Sequence, residues 1–232
     1  MAAKLIDVYL EVGAKRVFAG AIEWPGWCRS GKTAEDALEA LLECAPRYAN
    51  AVGKAGGPFT APKSIDAFKI VEKLKGDATT DFGAPGIAPK ADSRALGRKE
   101  LSRQQELLEA SWAAVDRAAT AANRETLSVG PRGGGRKLDA ITQHVDDADG
   151  AYLRAMGGKP GSAETKALRK QFLETVAARA GGEEPTPGPR KKKPFWTPRY
   201  AVRRSAWHAL DHAWEIEDRS SPSPNKAKRA PG

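Results

Sequence analysis

The chain has 232 residues, of which 41% are hydrophobic and 29% charged, with a net charge of +9. This length holds one large domain or two small ones, and the composition fits neither a disordered chain nor a membrane protein. The charge is local: residues 190–232 carry 11 Lys and Arg against 4 Asp and Glu, while residues 1–189 carry 27 against 25, which argues against a general nucleic-acid-binding surface.

In chain order, Ile6, Val8, Leu10 and Val12 alternate and predict a strand over 4–12. A turn at 12–15 leads to a returning strand over 16–23. Pro25-Gly26 breaks it, and WCRSG adds a short third strand. Thr33, with Asp36 three residues on, forms a capping box for a helix carrying Ala37, Leu38, Leu41 and Leu42. That helix stops or kinks near Pro46 and can resume to Val52. Residues 64–74 supply another strand. Residues 1–75 thus read as a small α+β module.

Residues 76–98 hold Gly76, Gly83, Pro85, Gly86, Pro89 and Gly97 with little periodicity. They read as a linker, or as a segment wrapped across a domain interface. From residue 99 the period becomes helical. Helices are expected over 99–122, 136–156, 162–180 (with Ser162 as N-cap) and 199–218. Four amphipathic helices over 99–220 fit an all-α, up-down-type four-helix bundle, with the long third connection leaving room for a crossover. Residues 221–232 read as a disordered basic tail.

No apolar run approaches the ~18 residues of a membrane span. The start lacks a signal-peptide pattern, so a cytoplasmic location is expected. Cys28 and Cys44 are too far apart for a C-x-x-C motif and too few for a disulfide framework. No phosphate-loop or dinucleotide fingerprint occurs, and Gly133-Gly134-Gly135 reads as a flexible turn. RKKKPFW (190–196) is a basic run followed by aromatics. A basic linker accounts for it more simply than nucleic-acid binding.

The three histidines carry the chemistry. On a helical wheel His144 falls inside the apolar arc of Leu138, Ile141, Val145, Ala148, Ala151 and Tyr152. His208 and His212 are i, i+4 neighbours at the border between an apolar arc and the polar arc of Arg204, Asp211, Glu215 and Asp218. A lone inward histidine is ordinarily a hydrogen-bonded core residue, and an isolated H-x-x-x-H pair ordinarily surface chemistry. Together, three imidazoles buried without partners would each cost desolvation energy, and one shared metal ion satisfies them all.

ITQHVDDADGAYL, followed 64 residues later by WHALDHAWEIEDR, resembles the metal-binding signature of the DinB/YfiT-like superfamily. The resemblance covers residues 99–220. It implies a four-helix bundle with one histidine on the second helix and an H-x-x-x-H pair on the last. His144, His208 and His212 then hold a divalent metal, zinc first, with nickel or iron as alternatives. The resemblance also implies thiol-dependent S-transferase chemistry on a small electrophile, with a low-molecular-weight thiol as a possible co-substrate and a homodimer as one option; an ion held by three histidines keeps a position open where water can be activated instead, the chemistry of a hydrolase. AIEWPGWCRSGKTAEDALEALL is similar to a HicB-type module over residues 4–75. A HicB antitoxin normally adds a DNA-binding element, and a helical bundle follows here instead.

Further roles follow from spacing. Asp147, at i+3 from His144, can orient its second nitrogen, or be a solvated helix residue. Glu215 can serve as acid or base, or pair with Arg219 at i+4. Arg203 and Arg204 can bind an anionic substrate, or be solvated. Trp207 and Trp214 read as core. A non-catalytic metal- or ligand-binding protein, whose HicB-like module binds a protein partner, is the alternative function.

Overall fold

The computed structural model describes residues 5–122, 127–128, 135–162, 164–185 and 194–220. Strands β1 (Ile6–Val12) and β2 (Val17–Ala21) form the expected antiparallel hairpin, with Val12 opposite Val17 and the Gly13 amide donating to the Arg16 carbonyl. Strand β3 (Cys28–Gly31) pairs antiparallel with β2. Thr33 caps α1 (Ala34–Glu43): its hydroxyl accepts from the Asp36 amide, and the Asp36 carboxylate accepts from the Thr33 amide. The helix breaks at Cys44. Helix α2 (Ala45–Val52) resumes with Pro46 in its first turn, where a missing N–H leaves no bond unmade. The region read as a strand from Ser64 opens with a 3₁₀ turn, Ile65–Ala67, because the Ser64 hydroxyl caps the Asp66 amide. It then becomes β4 (Phe68–Lys75), parallel to β1, and the sheet order is β3-β2-β1-β4.

Alternation gives β1 one buried face; the fold covers both. Val8 and Leu10 join the core with Leu41 and Tyr48. Tyr9 and Glu11, on the opposite face, are also buried. The Glu11 carboxylate accepts from the Thr80 hydroxyl and from the Gly86 and Ile87 amides at 2.8 and 3.0 Å. Those donors lie in the 76–98 segment, which holds a short helix, α3 (Ala78–Phe82), capped by Asp77, and a 3₁₀ turn over Lys90–Ser93. A buried carboxylate must be met by donors, so this segment straps across the sheet. Gly20 faces Tyr9 from β2; a Cβ there would lie 2.5 Å from the tyrosine ring.

Helices α4 (Arg98–Ala122), α5 (Leu138–Ala155), α6 (Thr165–Ala180) and α7 (Pro198–Ser220) form the four-helix bundle. Glu164, not Ser162, caps α6: its carboxylate reaches the Lys166 and Ala167 amides, and the Ser162 hydroxyl accepts from the Glu164 amide. Arg199 pairs with Glu100, so α4 and α7 start at the same end. Trp196 donates to the Ala155 carbonyl and Arg219 to the Arg136 carbonyl, so α5 runs antiparallel to α7. Thr165 donates to Asp146, and Gly158 approaches Thr175, so α6 runs parallel to α5. The return along the bundle is made by residues 156–164 and not by the longer connection before α7, whose residues 186–193 lie outside the described residues, as does the tail from 221.

Helix α7 is buried on nearly every side. Toward the sheet, Gly26 adopts φ +91° and presses its backbone against Ala206 and Leu210 of α7, a conformation and a clearance that a side chain would forfeit. Trp207 meets Phe18 edge-on at 6.1 Å, and Trp214 lies under the Arg29 guanidinium at 4.0 Å. Arg29 pairs with Asp211 at 3.0 Å, and Arg47 with Glu217 and Asp218 at 2.6 and 2.8 Å. Arg203 is no substrate binder. Asp92 of the strap accepts from it at 2.7 and 2.8 Å, as do the carbonyls of Ala21 and Ile22. In the bundle, Trp112 and Ser205 both donate to the buried Asp149 carboxylate.

Two predictions follow from these buried groups. Asp92→Ala leaves Arg203 buried without its counterion, and chemical denaturation should show a loss of about 3–5 kcal/mol; a loss below ~1 kcal/mol would mean that the strap does not hold the charge. Burial pushes the Asp149 carboxyl up to about 7, against the hydrogen bonds of Ser205 and Trp112. Its native pKa therefore exceeds its unfolded one, and the stability it contributes at acid pH is lost as pH rises from about 4 through about 7. Asp149→Asn cannot ionise, so its denaturation midpoint should gain on the wild type between about pH 4 and about pH 7. Parallel pH profiles would contradict this.

Candidate metal centre

Antiparallel packing of α5 on α7 brings three histidines to one level. The i, i+4 spacing puts His208 and His212 side by side on α7, their ring centroids 4.6 Å apart. The His144 ring on α5 stands 4.9 Å from the first and 5.1 Å from the second. The Nε2 atoms of His144 and His208 are 3.3 Å apart. Two nitrogens each about 2.0–2.1 Å from a tetrahedral ion stand about 3.3–3.4 Å apart. One nitrogen from each of the three rings lies within 4.8 Å of the others. His208 and His212 are more than nine-tenths buried, and His144 is partly open.

The electrostatics favour neutral rings, the form that ligates metal. His208 is pushed down to about 2, first by burial and then by His212, His144, Arg204 and Arg136. His144 is lowered by burial first, then by His212 and Arg136. His212 Nδ1 lies 2.8 Å from Glu215, an acceptor, so this nitrogen carries a proton, and in the neutral tautomer Nε2 is the ligating atom. Arg219 donates to the other Glu215 oxygen at 2.8 Å and is itself held by the Ser128 and Arg136 carbonyls. These bonds, from His212 first and Arg219 second, hold Glu215 down to about 2. The Arg219 pairing read for Glu215 is present, and the same carboxylate also contacts a histidine of the site. Asp147 is exposed and accepts from Gln143 at 3.0 Å; its described influence on His144 is electrostatic.

Aromatic walls that the sequence reading did not assign to the site stand beside the rings. The Tyr152 ring lies 6.0 Å from that of His208, and Trp196 stacks on Tyr152 at 5.2 Å. Tyr152 falls eight residues after His144, on the same helix face, which is the signal that could have placed it. Both cysteines are buried, free and in the N-terminal module. Burial pushes the Cys28 thiol up to about 12 and raises that of Cys44, so neither is a ready nucleophile.

Comparison with family models, with curated proteins and with solved structures finds no match. Among the described residues no helix is long and apolar enough to cross a membrane. The chain is an α+β module joined to a four-helix bundle, with a clustered histidine triad able to hold a metal ion.

The Glu215 contact is testable apart from any reaction. Removing a carboxylate that orients a metal-bound histidine typically lowers affinity ~10–100-fold. Glu215→Gln should show a drop of that order in competition with a chromophoric chelator. Unchanged affinity would mean that the carboxylate does not orient His212.

Proposed function

We propose that this protein is a divalent-metal-dependent enzyme of the DinB/YfiT-like kind, acting on a small electrophile as a hydrolase or as a low-molecular-weight-thiol S-transferase. The observation that carries this reading is the convergence of three imidazoles, one of them tied to a carboxylate, between two helices. Three protein ligands leave a coordination position open, whereas structural zinc sites are usually closed by four. When bound there, a divalent ion supplies acidification of a coordinated water or thiol.

In this reading His144, His208 and His212 hold the ion. Glu215 keeps the Nε2 of His212 turned inward. With both oxygens engaged and an acidic carboxyl, it orients rather than accepts protons. Asp147 acts on His144 through its charge. Zinc suits three imidazoles, as do nickel and iron. The HicB-like module braces α7 through Arg29, Arg47 and the two carbonyls that grip Arg203. One observation favours the alternative of a non-catalytic metal-binding protein with a docking module: edge strand β4 exposes Ile70 and Val71. Turnover of an electrophile in the presence of a thiol separates the two.

Elemental analysis of the purified protein beside His144→Ala, His208→Ala and His212→Ala is the test. The wild type should hold about one divalent ion per chain and each variant far less. A wild type that holds none after reconstitution, or full occupancy in all three variants, would overturn the assignment.

A further inference from the structure

We propose that Arg204 is the anion-binding residue of this site and that the small molecule reaching the three histidines carries a carboxylate. The inference rests on the metal reading above and adds the charge and class of the ligand.

Arg204 lies one helical turn before His208 on the same face of α7 as both histidines. It is only 8% exposed. Its guanidinium sits between two rings, with Cζ 4.9 Å from the Trp207 centroid and 5.5 Å from that of Tyr152. Both rings border His208, at 6.1 and 6.0 Å. The group is therefore held beside the histidine cluster.

Its bonding is incomplete. Nη2 donates to the Tyr152 hydroxyl at 3.3 Å, while Nε and Nη1 are buried and have no hydrogen-bond partner. No carboxylate lies within 4.0 Å of it among the described residues. The carboxylates nearby in the fold are engaged elsewhere: Asp149 with Trp112 and Ser205, Glu215 with His212 and Arg219, Asp211 with Arg29. The contrast with its neighbour is sharp. Arg203, equally buried, has an aspartate and two carbonyls. A buried guanidinium normally has a counterion, and an arginine without one beside a cluster of ligating groups is a binding group awaiting its anion.

The chemistry favours a carboxylate. A single planar guanidinium matches a planar, singly charged acid, whereas a phosphate dianion would call for more donors than Arg204 supplies. Trp207, Tyr152 and Trp196 provide apolar surface for an organic body.

The test uses cobalt-loaded full-length protein, whose visible absorption reports metal occupancy and thiol binding together. It is titrated with 3-mercaptopropionate and with the neutral 2-mercaptoethanol. The wild type should bind the acid at least ~10-fold more tightly, the factor of one charge-assisted hydrogen bond. Arg204→Met should bring the two affinities together with cobalt stoichiometry unchanged. Arg204→Lys, which keeps the charge without the fork, should retain part of the preference and serves if the methionine variant does not fold. Equal binding of the two thiols by cobalt-loaded wild type would overturn this inference and leave the metal reading standing, as would a full preference in either folded Arg204→Met or Arg204→Lys. A wild type that takes up no cobalt would overturn the metal reading, and this inference with it.

Discussion

Helix α7 is packed between a β-sheet and three other helices, and it carries polar side chains on every face. A helix in that position is stable only if each buried polar group finds a partner. Arg203 finds Asp92 and two strand-end carbonyls; Ser205 finds Asp149; Asp211 finds Arg29. These pairs fix the rotation of α7 about its axis, and that rotation decides which residues face α5. Three residues of the helix break the rule: the Nδ1 of His208, two nitrogens of Arg204 and the indole nitrogen of Trp207 are unpartnered. Of these, His208 and Arg204 lie on the face turned to α5, where His144 and Tyr152 stand. Their unmet nitrogens stand at the candidate site.

The sheet matters to that site by holding α7 still. Gly26 lets the turn after β2 lie against Ala206 and Leu210, and Arg29 and Arg47 clasp the far end of the helix. Along α7, Arg219 anchors Glu215, which anchors His212. Such support is what ligating groups need to stay within a few tenths of an ångström of a productive arrangement. The strap over residues 76–98 belongs to the same framework, since its Asp92 is the counterion of Arg203 and its amides satisfy Glu11.

The strands, the Thr33 cap and the four long helices are legible from period and capping residues. So is the histidine triad, because i, i+4 spacing and a single inward histidine on another helix require only that the helices meet. The strap was illegible for a definite reason: its order comes from backbone amides meeting a buried carboxylate, and neither leaves a period. Glu11 sits at an outward position of an alternating strand, so nothing local marks it as buried. The α7 arginines could not be sorted from sequence either. Arg203 and Arg204 are adjacent and alike, and only the fold gives one a counterion and leaves the other without. Helix directions were likewise hidden, since the nine residues of 156–164 can turn a hairpin or run back along a helix.

The central claim is that three imidazoles, and no sulfur, hold one divalent ion between α5 and α7. X-ray absorption spectroscopy of the zinc-loaded protein tests it most directly. The account predicts a first shell of nitrogen and oxygen at about 2.0–2.1 Å with the multiple-scattering pattern of about three imidazoles. A sulfur shell at about 2.3 Å, or a shell with no imidazole contribution, would contradict it.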